Sequence, residues 1–132
     1  MSSLLTIRPG IYRGQVTGTE SGECSARIEV RQIPGGSLAV DYEATSEREG
    51  LQHAEHTLID ERGLYVAFGE APAIVFFEAA GDGRFVSRAP GPYAMEIHAA
   101  YADGELTWVW HWAEAGSPPR EMSRAVCTRS EF

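Results

Sequence analysis

Asp103-Gly104 stands between two runs, 93–102 and 105–114, whose residues alternate in polarity. Both central positions of a type I′ turn need positive φ, which Asp and Gly tolerate best, so the pair predicts a two-residue hairpin loop. Such a loop fixes the register. Tyr101 faces Leu106, Ala99 faces Trp108, Ile97 faces Trp110 and Met95 faces Trp112, all on one side of the ribbon. The other side pairs Ala100 with Thr107, His98 with Val109 and Glu96 with His111. One face therefore carries all three tryptophans of the chain, and the other a titratable Glu/His/His group. A two-stranded ribbon cannot bury three indoles, so further sheet or a ligand has to cover that face.

The same pattern recurs along the chain. Gly10 to Val16 reads as a strand with Tyr12 and Val16 on one face, followed by a turn-rich stretch from Gly18 to Gly22. From Cys24 to Ile33 the sequence alternates, with Cys24, Ala26, Ile28 and Val30 opposite Ser25, Arg27, Glu29 and Arg31. Pro34-Gly35-Gly36 suits a three-residue loop with Gly36 in the left-handed conformation, pairing Val30 with Val40, Ile28 with Tyr42, Ala26 with Ala44 and Arg27 with Glu43. A strand follows from Leu51 to Asp60. A short helix within 46–58 is the alternative there, because Ser46 and Glu49 have capping-box spacing. Glu61-Arg62-Gly63 then reads as a three-residue loop, pairing Leu58 with Val66 and His56 with Phe68. That register puts His56 on the apolar side and His53 with Glu55 on the opposite one. Strands from Ala73 to Ala80 and Arg84 to Arg88 flank the turn pair Asp82-Gly83, and a last strand runs from Arg120 to Arg129 after a Pro-rich loop.

Nine or ten short strands joined by tight turns imply an all-β, antiparallel up-and-down meander, and closing it into a barrel removes the two exposed edges. A single domain over 1–132 is expected, since 132 residues suffice for one core and no linker or repeat interrupts them. A barrel of eight to ten strands holds side chains plus one small ligand.

Gly10-x-Tyr12-x-Gly14, which opens the first strand, and Arg129, which closes the last, resemble the calycin-type barrels: lipocalins, fatty-acid-binding proteins and nitrobindin-like haem proteins. The resemblance implies a calycin-like β-barrel with an interior ligand site, and Arg129 covering the aromatic at position 12. Two features depart from it. Tyr12 stands where the family typically has Trp, and the last strand lacks the histidine that would ligate haem in a nitrobindin-like protein.

The net charge of −8 opposes the counterion release that drives nucleic-acid binding, and it disfavours anionic membranes. Neither a long apolar run nor a charged leader is apparent, so a cytoplasmic protein is expected. Cys24 and Cys127 are expected to be free, buried thiols, with one bridge possible if the first and last strands meet.

The expected function is a non-enzymatic barrel that holds a small, hydrophobic or aromatic molecule. Tyr12, Tyr42, His56, Phe68, Met95, Trp108, Trp110 and Trp112 point inward on this reading, with the tyrosine hydroxyls and the imidazole fixing ligand orientation. No cofactor is expected; haem is the one that the resemblance allows, with His56 as its candidate ligand. Two alternatives stay open: an enzyme using His56 as acid or base, and a structural barrel whose aromatic face packs in a homodimer. Glu96, His98 and His111 read as a solvated outer patch. Strand alternation separates His56 from His53 and Glu55, which argues against a metal site there.

Overall fold

In a computed structural model, which describes residues 3–19, 22–69 and 73–130, ten antiparallel strands close into a barrel. They are β1 (Gly10–Thr17), β2 (Cys24–Gln32), β3 (Leu38–Ser46), β4 (Gly50–Asp60), β5 (Gly63–Phe68), β6 (Val75–Ala79), β7 (Arg84–Ser87), β8 (Tyr93–Ala102), β9 (Glu105–Glu114) and β10 (Arg120–Arg129). Each strand pairs with its neighbour in sequence, and β1 closes the cylinder against β10, with Tyr12 opposite Arg129 and Thr17 opposite Arg124. The all-β meander is thus as expected, and each of the ten strands has a neighbour on both sides. Part of the Gly18 to Gly22 turn lies outside the described residues.

The turns explain the registers. Asp103 and Gly104 have φ of 53° and 78°, as a type I′ turn requires, and β8 and β9 pair with the predicted partners throughout. Asp82 and Gly83 repeat the device between β6 and β7 at 55° and 74°. Gly36 has φ of 104°, and β2 meets β3 in the predicted register, Ile28 against Tyr42. The short helix considered within 46–58 does not form. The Ser46 hydroxyl instead accepts hydrogen bonds from the Arg48 and Glu49 amides, which holds a turn before β4.

Between β4 and β5 the register differs from expectation. The loop has two residues, so Asp60 faces Gly63, Thr57 faces Val66 and His56 faces Ala67. Asp60 fixes this turn, its carboxylate accepting from the Arg62 and Gly63 amides at 2.8 and 3.3 Å. Gly63 belongs to the sheet, because a β-carbon there would lie 2.0 Å from the Phe77 carbonyl oxygen on β6. The one-residue shift exchanges the faces of β4. Glu55, Thr57 and Ile59 are buried, while Leu58 is 42 % exposed and His56 lies outside.

The two ends of the barrel differ. A 3₁₀ turn, Ser3–Thr6, lies against β4 and β8 where the chain enters, and it buries Leu4 and Ile7 in the core. Tyr12 belongs to this closed end. It is fully buried, donates to the Arg8 carbonyl at 2.6 Å and meets Tyr101 edge-on. The other end carries the β1–β2, β3–β4, β5–β6, β7–β8 and β9–β10 connections. Leu51, Ile74, Tyr93 and Trp112, four of the large exposed hydrophobic side chains, stand around it.

Candidate functional site

The end opposite the 3₁₀ turn is built by strands from opposite walls. From β4, His53, Glu55 and Thr57 point inward, Glu55 having Tyr42 on one side and Phe68 on the other as cross-strand partners. From β9, five strands away, come Trp108, Trp110 and Trp112. The Trp110 indole donates to Glu55 Oε1 at 3.0 Å, a buried hydrogen bond across the barrel. Around Trp110 the rings of Phe68, Phe77 and Trp112 stand edge-on at 5.1, 5.6 and 6.4 Å between centroids. His53 packs against Tyr42 and Trp110, and its Nε2 is 3.4 Å from Glu55 Oε1.

Glu55 is the unusual member of this group. Its side chain is 1 % exposed, and Oε2 has no hydrogen-bond partner among the described residues. A buried carboxylate oxygen without a donor is costly, so something must offset it. Thr57 Oγ1 and Trp108 Nε1 lack partners among them too. Thr57 is two residues beyond Glu55 on β4, and Trp108 two residues before Trp110 on β9. Burial and the nearby Glu55 carboxyl both raise the pKa of Tyr42, which keeps its hydroxyl protonated and available as a donor.

The residues expected to share one interior site therefore separate. Tyr42, Phe68, Met95, Trp110 and Trp112 meet at the end opposite the 3₁₀ turn, with Trp112 36 % exposed at the rim; Trp108 lies at mid-barrel and Tyr12 at the closed end. His56 is a correction. It stands on the outer face, Nδ1 2.5 Å from Asp41 Oδ1, so it is neither an interior acid-base group nor a ligand for a haem iron in the barrel. The histidine that does face the interior is His53. Hydrophobic alternation misses both His53 and Glu55, because it buries Leu58 at their expense; the Asx geometry of Asp60 with Arg62 and Gly63 is the sequence signal that gives the right face.

Two polar groups decorate the outer wall. His56 and Asp41 border a solvent-open trough of about 490 Å³, which Arg27, Glu29, Glu43, Ala54 and Ala67 also line and which Tyr42, Glu55 and Phe68 touch as well. Across the barrel, Arg84 grips Glu96 with two bonds of 2.8 and 3.0 Å, His98 reaches the same carboxylate at 2.9 Å, and the His98 and His111 rings stack at 3.8 Å. Among the described residues no group of three His, Cys, Asp or Glu is placed to hold a metal ion.

The fold and this site define a ten-stranded antiparallel barrel with a plugged end, an aromatic opposite end and a buried carboxyl. No family model and no curated protein sequence matches the chain. Solved structures do resemble it in fold. Rv2717c from M. tuberculosis superposes with a TM-score of 0.65 at 14 % identity, over 93 % of this chain and 92 % of that one. A de novo designed fluorescence-activating β-barrel gives a TM-score of 0.52 at 11 % identity, over 98 % of this chain and 100 % of the designed one.

Proposed function

We propose that the protein binds a small, mainly apolar molecule at the end of the barrel opposite the 3₁₀ turn, where the molecule's polar group meets Glu55. The observation that carries this reading is a buried carboxylate oxygen with no donor among the described residues, at an end of the barrel where aromatic side chains gather and Trp112 is partly exposed. Aromatic walls with a few convergent polar groups are the usual composition of a small-molecule site. The likeness in fold to a designed barrel described as fluorescence-activating is compatible with it.

Native mass spectrometry of the purified protein, read beside quenching of tryptophan emission by neutral, cationic and anionic aromatic molecules, tests the proposal. A co-purified mass, or saturable quenching that weakens in Trp112→Ala, supports it. No added mass and no saturable quenching by any of the three classes would overturn it, and a species of twice the mass would turn attention to the rim as a contact between two copies.

A further inference from the structure

We infer that the site selects an organic ammonium ion carrying an aromatic or aliphatic body, with its N–H group bonded to Glu55 Oε2. The inference rests on the binding reading above and adds the charge class of the ligand. Three observations converge on it. Among the described residues Glu55 is the one with an ionisable carboxyl that is buried, and no arginine is buried beside it; the eleven basic residues of the chain are all arginines, so no lysine is available either. Oε1 is occupied by Trp110 and flanked by His53, whereas Oε2 has no donor among the described residues. Aromatic side chains also surround the carboxyl: Tyr42 and Phe68 are its cross-strand neighbours, Trp110 reaches it through the indole N–H, and Phe68 and Trp112 pack against Trp110.

A buried carboxylate with aromatic neighbours fits a cation on both counts. The ammonium N–H makes a charge-assisted bond to the free oxygen, and the ring faces present their negative quadrupole to the spread of positive charge on the adjoining methylene groups. Binding in this low-dielectric place gives Oε2 the charged donor that Oε1 already has beside it in His53 when that ring is protonated. A neutral alcohol of the same shape makes one ordinary hydrogen bond and leaves the charge uncompensated. An anion of that shape meets a like charge. Phe68 and Met95, which pack against the core at this end, are only partly buried.

The test titrates the whole protein with 2-phenylethylammonium and with 2-phenylethanol, near-isosteres that differ in charge, following tryptophan emission and confirming by calorimetry. The expected result is binding of the ammonium at least tenfold tighter than that of the alcohol, with the preference abolished in Glu55→Gln while the alcohol still binds. The glutamine carbonyl can still accept from Trp110, so the variant is expected to keep the near-ultraviolet circular dichroism of the parent. Equal affinity for the two probes in the parent protein overturns the inference and leaves the binding reading standing, whether or not the variant folds. A preference that survives in Glu55→Gln also overturns it, since the charge is then read elsewhere. Binding of neither probe, nor of any other aromatic molecule, removes both.

Discussion

Trp110 reaches Glu55 across the full width of the barrel, 3.0 Å separating an indole nitrogen and a carboxylate oxygen whose residues are 55 positions apart in the chain. The bond ties β9 to β4, strands that share no backbone ladder. It satisfies one oxygen of the carboxyl and gives the tryptophan a partner that Trp108, two residues earlier, lacks among the described residues.

Removing the acceptor exposes this dependence. Glu55→Ala leaves the Trp110 N–H buried without a partner, and a loss of about 1–3 kcal/mol is expected from that group. Glu55→Gln retains an acceptor and is expected to lose less. Urea unfolding of the two variants checks the order, and an alanine variant as stable as the glutamine variant would contradict it.

Gly14→Ala is expected to be far more damaging than Gly116→Ala. A β-carbon on Gly14 would sit 1.8 Å from the Val126 carbonyl oxygen and 2.8 Å from Cys127 Cα, so β1 could not keep its place beside β10. Overpacking of this kind costs about 1–3 kcal/mol, and more where backbone has to move. Gly116 has open space around it and positive φ, so only the conformational penalty, about 1 kcal/mol, applies there. Thermal melting of both variants reads the difference.

Stability is expected to fall with acid in two windows. Burial, and then the charge on His98, hold the His111 pKa below its ordinary 6.5, against the opposing pull of the Val109 backbone, Glu121 and Glu96. The unfolded chain then binds this proton more readily, so the neutral ring's contribution is complete above pH 6.5 and declines as the pH falls from there to the folded value. Glu96 acts lower. Its bond to Arg84, foremost, pushes it from 4.5 down to about 2, so the stability from its ionised form is present above 4.5 and lost between 4.5 and 2. Glu121, lowered by its bond to Arg124, adds to that lower step. Melting temperature against pH should show His111→Phe removing the upper decline and Arg84→Ala shrinking the lower one.

Neither thiol is expected to react in the native state. Cys24 and Cys127 are free and buried, and burial pushes the Cys127 thiol up to about 11. Thiolate is the reactive form, so labelling with a disulfide reagent at pH 8 should be slow and should release two equivalents only on denaturation. A rapid native equivalent would contradict this placement.

Much of the fold was legible because its punctuation is local. Asp103-Gly104, Asp82-Gly83 and Gly36 each need positive φ where the chain turns, and each turn sets the register of the strands that it joins. β8, β9, β2 and β3 follow from those few residues. β4 was not legible in the same way. Leu58 and Ile59 are adjacent and equally apolar, so hydropathy alone cannot choose a face, and the choice that buries Leu58 spares the carboxyl of Glu55.

The candidate site failed to show for the same reason. Burying Glu55 becomes acceptable only with Trp110 opposite, and that relationship exists only once the cylinder has closed, five strands on. Tyr12 illustrates a second limit: alternation tells inside from outside but not which end of the barrel a side chain occupies. His56 fell on the wrong side through one residue of register, and the interior imidazole, which is that of His53, was missed with it.

The ladders around the wall are unequal in length. β8 and β9 pair over all ten residues of each strand, whereas β7 has four residues, and it meets β6 only through Phe77 with Ser87, Glu78 with Val86 and Ala79 with Phe85. The cylinder thus has a seam. Amide hydrogens of β6 and β7 should exchange with solvent ahead of those of β9, because opening there breaks the fewest bonds. Phe77, whose ring meets Trp110 edge-on, lies in that seam, so each unzipping also takes away one of the rings that hold the Trp110 indole against Glu55.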